Sequence, residues 1–399
     1  MITAIGTYLP RWGTAMVRCL DEDEDALTLG VAAGLAALRG VDPQTVRAVV
    51  LVTRDFPLLE GGNAAALLGG LGVHPSAHVI EQLGGAPAAL DAVLNATDAT
   101  LVIGADAGSG VGAGAGALLV GSSGVSVASI GRISRSMPVT TRDAMGHTTD
   151  YADPRLLRVR GLGASLTAVA DGEKFTAVAG LLGRDASALC SGKSAPLATS
   201  GASAAIFALA ALAESGAGGS VLAVEQAAVS AALLGAGAVT VHRDEAVARP
   251  LPAGKRVDGA PISISLSAYD RAFDAKLRLL AAKCRTCGTL AYPHRFRCLE
   301  CGAEDETDVE VLPRDVEAHS LSTIYTPVPG LTTPYTVVLA ELGDSGVRLL
   351  TRLTGAPAGS VKIGDKGTLV LRLVAIRSGV PDYGYSFLPD QDSAPEVGS

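Results

Sequence analysis

The strongest constraint on this 399-residue chain is a group of four cysteines within eighteen residues. Cys284 and Cys287 form one C-x-x-C pair, and Cys298 and Cys301 form a second pair after a ten-residue spacer. Four thiolates arranged in a tetrahedron suit zinc, with iron as the competing metal. Because four protein ligands leave no position open for substrate, we predict a structural metal site in a reducing compartment.

Composition excludes several classes of partner. The net charge of −8 disfavours nucleic acids and anionic membranes, because both select clustered Lys and Arg. The longest apolar stretches, such as 204–213, are shorter than the roughly 20 residues that span a bilayer. The first residues lack the basic-then-apolar pattern of a signal peptide. We therefore expect a cytoplasmic protein that binds neither nucleic acid nor membrane.

An internal repeat indicates the fold of the N-terminal part. Segments 83–107 and 199–227 share one order: small residues, a helix that is apolar almost all round, a short turn and an apolar strand. A helix that is apolar on every side must lie between two layers. The repeat thus predicts a duplicated α/β domain of five layers with one central helix from each half. Upstream, Asp25 is predicted to cap a helix from Ala26 to Leu38.

Composition also divides the chain. Gly, Ala, Val and Leu dominate to about residue 262, a basic cysteine-bearing segment follows, and the remainder alternates polar and β-branched residues. Four or five short alternating strands within 311–390 suit an OB-type barrel. The predicted regions are an α/β domain at 1–262 with halves at about 1–132 and 161–262, a helix and zinc ribbon at 263–305, an OB-fold domain at 306–392 and a disordered tail at 393–399.

Several motifs resemble one enzyme superfamily. IGTYLPRW, DEDEDALTLGVAAGLAAL, VLVTRDFP, LVIGADA and SGASAAIFALAALAESGAGGSVLAV follow in order the motifs of the thiolase superfamily, most closely its 3-hydroxy-3-methylglutaryl-CoA synthase and ketoacyl-ACP synthase III branch. CRTCGTLAYPHRFRCLECG and the β-rich segment after it resemble the zinc-ribbon and OB-fold domain that accompanies many acyl-CoA thiolases and aldolases. Together the two resemblances cover nearly the whole chain.

The resemblance implies that the catalytic residues are lost. The family places a nucleophilic Cys at the N-terminus of the first central helix, where the helix dipole lowers its pKa. The matching position holds Gln82 or Leu83, depending on the register, and neither can be acylated. The family Asn falls at Thr199, and the glutamate base of the branch falls at Arg54. No histidine lies between residues 161 and 201, where the family His is expected.

The resemblance therefore implies an acyl-CoA-binding, non-catalytic subunit. It would support an active thiolase or aldolase in lipid, sterol or polyketide metabolism, with a coenzyme A thioester as ligand or substrate. The implied partners are that active subunit, a second copy of the chain, or both. The alternative is a 3-hydroxy-3-methylglutaryl-CoA synthase-like acyltransferase that forms or cleaves a C–C bond between thioesters.

A few residues are candidates for remaining chemistry. Cys190 is the thiol of the second half, but the sequence supplies no base for it, which favours a small buried residue. His147 and Asp150 could form an acid/base group, since His titrates near neutrality, but a polar connector between the halves is the preferred interpretation. Basic residues near the link between the halves are candidate contacts for acyl-CoA phosphates, although a solvated charged face is the preferred interpretation; they are Arg155, Arg158 and Arg160.

Overall fold

The computed structural model describes residues 1–390 apart from 109, 144, 146, 152, 171, 193–196, 261 and 305. The tail predicted at 393–399 lies outside these residues. The chain forms two compact units. The first unit comprises Met1–Leu20, Asp25–Leu59 and Val73–Arg249, and the second comprises Asp21–Glu24, Glu60–Gly72 and the chain from Pro250 onward. This division differs from a single boundary after residue 262, because two short N-terminal segments belong to the second unit.

The helices follow the sequence pattern. Asp25 caps the first helix as predicted, since its side chain accepts a hydrogen bond from the Thr28 amide. A π-helical stretch, Leu157–Ser165, joins the fourth and fifth helices. None of the helices in the described residues is long and apolar enough to cross a membrane. The helices are α1 (Ala26–Ala37), α2 (Asn63–Leu71), α3 (Ala86–Asn95), α4 (Pro154–Leu156), α5 (Leu166–Ala170), α6 (Gly183–Leu189), α7 (Ala202–Ser215) and α8 (Leu266–Arg278).

Two sheets and two short ribbons make up the strands of the first unit. These strands are β1 (Ile2–Leu9), β2 (Trp12–Gly13), β3 (Arg18–Cys19), β4 (Ala48–Thr53), β5 (His78–Leu83), β6 (Thr100–Asp106), β7 (Gly114–Val120), β8 (Val127–Ser134), β9 (Thr140–Arg142), β10 (Thr148–Asp150), β11 (Ala177–Ala179), β12 (Gly219–Val224), β13 (Ala228–Leu234) and β14 (Thr240–Glu245). The larger sheet has the order β14-β1-β7-β6-β4-β5, and the smaller has the order β11-β12-β13-β8.

The topology of the two sheets confirms the duplication. In the larger sheet β4 and β6 are parallel, whereas β7 runs antiparallel to both β6 and β1. The smaller sheet repeats this pattern, because β11 and β12 are parallel and β13 runs antiparallel to both β12 and β8. The equivalent strands are therefore β1 and β8, β4 and β11, β6 and β12, and β7 and β13. Within the described residues, the two edge strands of the larger sheet, β5 and β14, have no counterpart in the smaller sheet.

Five layers result from this arrangement. Helices α3 and α7 pack against each other between the two sheets, and α1 covers the other face of the larger sheet. Helix α5 and the π-helical stretch cover the smaller sheet. Most of α7 is fully buried, as its all-round apolar sequence requires. The predicted fold class, a duplicated five-layer α/β region followed by a zinc ribbon and an OB-type barrel, is confirmed.

The second unit contains three smaller β structures. Its strands are β15 (Lys255–Arg256), β16 (Leu280–Cys284), β17 (Leu290–Ala291), β18 (Thr307–Val311), β19 (Asp315–Ile324), β20 (Thr332–Thr333), β21 (Tyr335–Leu342), β22 (Arg348–Arg352), β23 (Lys366–Arg377) and β24 (Val380–Pro389). Strand β16 pairs with β17 and β18 to form the ribbon that carries the cysteines. The five-stranded sheet has the order β22-β21-β19-β23-β24, and a bridge between Leu353 and Phe387 links its two ends into a barrel.

A buried arginine organises the core of the second unit. Arg372, on β23, is 2% exposed and lies 3.6 Å from Asp23 and 3.1 Å from Glu24. The Asp23 carbonyl also accepts the backbone N–H of Leu373 at 2.8 Å. A buried guanidinium requires counter-charges, which explains why the acidic segment Asp21–Glu24 belongs to this unit. Burial raises the pKa of Asp23 to about 7, although Arg372 opposes that shift.

Replacing Arg372 should destabilise the protein strongly. In Arg372→Met, two carboxylates lose their buried counter-charge, so we expect the free energy of unfolding to fall by about 3–5 kcal/mol in chemical denaturation. The raised pKa of Asp23 favours folding at low pH, and this contribution is lost as the pH rises through about 7. At pH 5 the buried Asp23 is protonated and needs no counter-charge, whereas at pH 8 it is charged and needs Arg372. The loss of stability in the variant should therefore be larger at pH 8 than at pH 5. The exposed Arg271→Met is the control and should change stability by less than about 0.5 kcal/mol.

Candidate functional site

The four predicted metal ligands meet at one point in the second unit. Their Sγ atoms all lie within 4.8 Å of one another. The Cys284–Cys301 and Cys287–Cys298 sulfur pairs are each 3.6 Å apart, which is too long for a disulfide bond. Zn–S bonds of about 2.3 Å in a tetrahedron place sulfurs roughly 3.8 Å apart. The arrangement therefore fits a zinc ion held by four thiolates.

A glycine directly after each C-x-x-C pair turns the backbone. Gly288 and Gly302 both have φ of 76°, a left-handed conformation that glycine adopts without strain. Their amides donate to the carbonyls of Cys284 and Cys298 at 2.8 and 3.1 Å. The pKa of the Cys287 thiol is lowered to about 6, mainly by the Thr289 hydroxyl 3.3 Å from its sulfur. Hydrogen bonds from the backbone amides of Cys287 and Thr286 lower the pKa of the Cys284 thiol.

In the first unit, the N-terminus of each central helix meets a carboxylate from the other half of the repeat. Asp106, the last residue of β6, accepts the amides of Ala202 and Ser203 at 2.7 and 2.9 Å at the start of α7. Glu225 follows β12, the strand equivalent to β6, and its carboxylate lies against Gly85 at the start of α3. The first N–H groups of an α-helix lack partners within the helix, and its dipole favours an anion there.

Both capping positions are occupied by glycine. Gly85 is the N-cap of α3 and Gly201 is the N-cap of α7, and their ψ angles are both −142°. A Cβ atom at Gly85 would overlap Glu225 Oε1, and a Cβ atom at Gly201 would overlap Asp106 Oδ1. Each carboxylate thus fills the space that a side chain at the helix N-terminus would take.

Burial changes the acidity of both carboxyl groups. It raises the pKa of Asp106 to about 6, against the opposing hydrogen bonds from Ser203 and Ala202. It also raises the pKa of Glu225, although Arg54 lies 2.9 Å away and favours the charged form. Asp55 lies in the same region and accepts the amides of Ala107 and Gly108 at 3.0 and 2.8 Å.

The structure places the residues aligned with the family positions around these two helix termini. Gln82 and Leu83 end strand β5, just before the N-cap Gly85 of α3, and Leu83 is 73% exposed. Thr199 is buried before α7, with its hydroxyl 2.6 Å from Ser203 Oγ. Arg54 forms the ion pair with Glu225 described above. Glu225 was not predicted from the sequence. The internal repeat contains the signal for it, because VLAVE aligns with VIGAD and places Glu225 at the position of Asp106.

The remaining candidates do not come together. Cys190 is buried among apolar residues of the smaller sheet's outer layer. His147 is exposed, and its Nδ1 lies 3.1 Å from Asp143 instead of pairing with Asp150. The three candidate arginines are exposed, and two of them have surface ion pairs, Arg155 with Asp153 and Arg158 with Asp185.

Family models match two parts of the second unit. Residues 274–307 match the ChsH2 rubredoxin-like zinc ribbon domain, and residues 317–372 match the ChsH2 C-terminal OB-fold domain. A DUF35 domain-containing scaffold protein of Methanothermobacter thermautotrophicus is 30% identical over 118 residues, which are 29% of this chain and 88% of that protein. The chain belongs to the DUF35 scaffold family. The predicted resemblance to a zinc-ribbon and OB-fold domain is thereby confirmed.

Other relatives of this DUF35-family chain match over similar lengths. A DUF35 domain-containing scaffold protein of Methanocaldococcus jannaschii is 26% identical over 28% of this chain and 81% of its own length. A probable enoyl-CoA hydratase alpha subunit of Thermomonospora curvata is 33% identical over 22% of this chain, and the match spans 27% of that protein.

Solved structures resemble different parts of the chain. The 3-oxoacyl-[acyl-carrier-protein] synthase III of Aquifex aeolicus is 17% identical, with a TM-score of 0.45, over 58% of this chain and 98% of its own. An Ltp2–ChsH2(DUF35) aldolase structure is 25% identical, with a TM-score of 0.26, over 30% of this chain and 90% of its own.

Removing one cysteine should release the metal. Cys301→Ser leaves three thiolates, so we expect zinc to fall from about one ion per chain to well below one, with a lower melting temperature because metal binding and folding are coupled. Cys19→Ser, outside the ribbon, should keep full zinc content. Elemental analysis of purified protein measures both. Full zinc in Cys301→Ser would contradict the four-thiolate site.

A side chain at Gly85 should collide with Glu225. Gly85→Ala is expected to lower the free energy of unfolding by about 1–3 kcal/mol, because the methyl group displaces the carboxylate from the helix N-terminus. The loss should shrink when Glu225→Ala is present, which a double-mutant cycle by denaturation measures. Gly192→Ala, where a Cβ meets no atom within 4 Å, is the matched control. An equal loss in both backgrounds would show that Glu225 does not obstruct the site.

Proposed function

We propose that this chain is a non-catalytic scaffold subunit that binds acyl-CoA and supports an active thiolase or aldolase. The observation that carries the proposal is the Glu225 carboxylate at the N-terminus of α3. This is where the superfamily resemblance expects a nucleophilic cysteine. The N-cap there is a glycine, and the carboxylate against it lies in the dipole field that would otherwise activate a thiol.

The ion pair between Arg54 and Glu225 supports the same conclusion. Arg54 aligns with the glutamate base of the resembled branch, so a cation stands at the expected base position. It lies 2.9 Å from Glu225, whose side chain is 15% exposed. The positions expected for the nucleophile and the base are therefore linked by this ion pair, to which we assign a structural role.

Alternative nucleophiles lack supporting geometry. Cys190 belongs to an apolar cluster with Phe175 and Leu181, an environment that favours an inert thiol. His147 lies on an exposed segment with Asp143. A 3-hydroxy-3-methylglutaryl-CoA synthase-like activity through these residues remains the alternative outcome of the experiment below.

The family name and an open sheet edge support the partner role. DUF35 relatives are named as scaffold proteins. Another relative is named as a probable enoyl-CoA hydratase alpha subunit. Strand β5 is the last strand of the larger sheet and, among the described residues, pairs only with β4. Its exposed apolar residues include Ile80 and Leu83. An exposed edge strand is a template for pairing with another chain, so we assign β5 to the contact with a thiolase, an aldolase or a second copy.

The zinc ribbon has a structural role in this proposal. When bound, zinc supplies four metal–thiolate bonds that hold the two C-x-x-C turns together. The cysteines and the neighbouring backbone amides fix the fold of the ribbon. In this proposal the fixed ribbon holds the OB barrel of the same unit in a constant orientation to it.

Two measurements test the proposal. Incubation with acetyl-CoA and longer acyl-CoAs, followed by intact-mass spectrometry, should show no covalent acyl adduct on the wild-type chain, and Cys190→Ala should give the same spectrum.

Co-expression with neighbouring open reading frames should yield a complex on size-exclusion chromatography. Ile80→Lys should weaken that complex at least tenfold, while the exposed Val247→Lys should not. An acyl adduct lost in Cys190→Ala would establish the synthase alternative, and a chain that binds no partner would contradict the scaffold role.

A further inference from the structure

The first unit contains a large apolar cavity. Its volume is about 880 Å³, within the range of roughly 300–1,000 Å³ that accommodates small-molecule ligands. Strand β3, the loop after β6, helix α6 and the segment before α7 surround it. Exposed apolar side chains at its border include Met16, Val17 and Leu182.

One buried cation lies in the wall of this cavity. Arg18 is 8% exposed and is the one charged residue among the described residues that line the space. Its Nη1 donates to the Pro10 carbonyl at 2.7 Å, but its buried Nε has no hydrogen-bond partner. A buried charge normally has a counter-charge, because taking a bare ion out of water costs several kcal/mol.

The carboxylate that attracts Arg18 most strongly, Glu245, already has other partners. Glu245 attracts Arg18 electrostatically without forming an ion pair with it. Glu245 instead accepts the Thr7 hydroxyl and Arg243 Nη1, both at 2.6 Å. Burial consequently lowers the pKa of the Arg18 guanidinium, with only partial compensation. The cavity wall thus holds a positive charge that the protein does not neutralise locally.

We propose that this cavity binds a ligand with an apolar chain and a carboxylate, whose charge Arg18 balances. The inference rests on the proposed acyl-CoA-linked function and specifies its ligand: a free fatty acid or an acyl group that itself ends in a carboxylate. The apolar walls take the chain, and the guanidinium selects the anionic group over a neutral one of equal length. The two sources share this chemistry, and an acyl-CoA with and without a terminal carboxylate distinguishes them.

Calorimetric titration of the full-length zinc protein with decanoate and decan-1-ol tests the proposal. We expect decanoate to bind at least tenfold more tightly than decan-1-ol. Arg18→Gln should weaken decanoate at least tenfold and leave decan-1-ol unchanged, because only the carboxylate loses a charge-assisted hydrogen bond from the guanidinium. Arg47→Gln, an exposed arginine of the same unit, is the matched control and should change neither ligand.

Two further readouts keep the test decisive. Ser187→Trp, on an exposed position of α6 that borders the cavity, should weaken both ligands by obstructing the space. Without ligand, Arg18→Gln should melt no lower than wild type, because it removes an unbalanced buried charge; a purely structural arginine would lower the melting temperature. Equal binding of decanoate and decan-1-ol, no decanoate binding, or an equal loss of both ligands in Arg18→Gln would overturn the proposal. These measurements depend neither on acylation nor on a partner protein. The ligand proposal can therefore be refuted without refuting the scaffold role.

Discussion

The first unit depends on how its two buried central helices satisfy their N-termini. Each helix packs between the two sheets, and the first amides of a helix have no partners within the helix itself. The protein uses a carboxylate from the opposite half for each helix, Asp106 for α7 and Glu225 for α3. The two carboxylates occupy equivalent places in the repeat, and both N-caps must be glycine to admit them. In the proposed scaffold role, the carboxylates that stabilise the duplicated core also take the space that a side chain at either N-cap would need for acylation.

The second unit solves a different problem, because a small zinc ribbon and barrel bury little apolar surface by themselves. Four cysteines can supply metal bonds to the ribbon. A buried ion cluster draws the acidic segment Asp21–Glu24 against the barrel strand that carries Arg372. Helix α2 contributes in the same way, since the Gly70 carbonyl accepts a hydrogen bond from Arg314 at 2.7 Å. The C-terminal module is therefore completed by residues far away along the chain.

Local patterns in the sequence predicted local structure well. The spacing of the four cysteines required no knowledge of the fold, and the repeated order of helix and strand was sufficient for five layers. Contacts between distant residues were not predictable in this way. The alignment pointed to Gln82 or Leu83, whereas the helix N-cap is Gly85, and nothing near Gly85 in the sequence reveals a carboxylate 140 residues later. Likewise, the acidic run before α1 matches a superfamily motif, but its charges are explained by an arginine on β23 that local patterns do not connect with it.

The central claim is that Glu225 occupies the N-terminus of α3 and prevents chemistry there. A crystal structure of the protein soaked with an acyl-CoA measures this directly. The account predicts clear density for the Glu225 carboxylate within hydrogen-bond distance of the Ala86 amide, paired with Arg54, and no acyl carbon or thioester oxygen at that terminus. A Glu225 side chain rotated away, with the thioester carbonyl bound to the amide of Ala86 in its place, would contradict it.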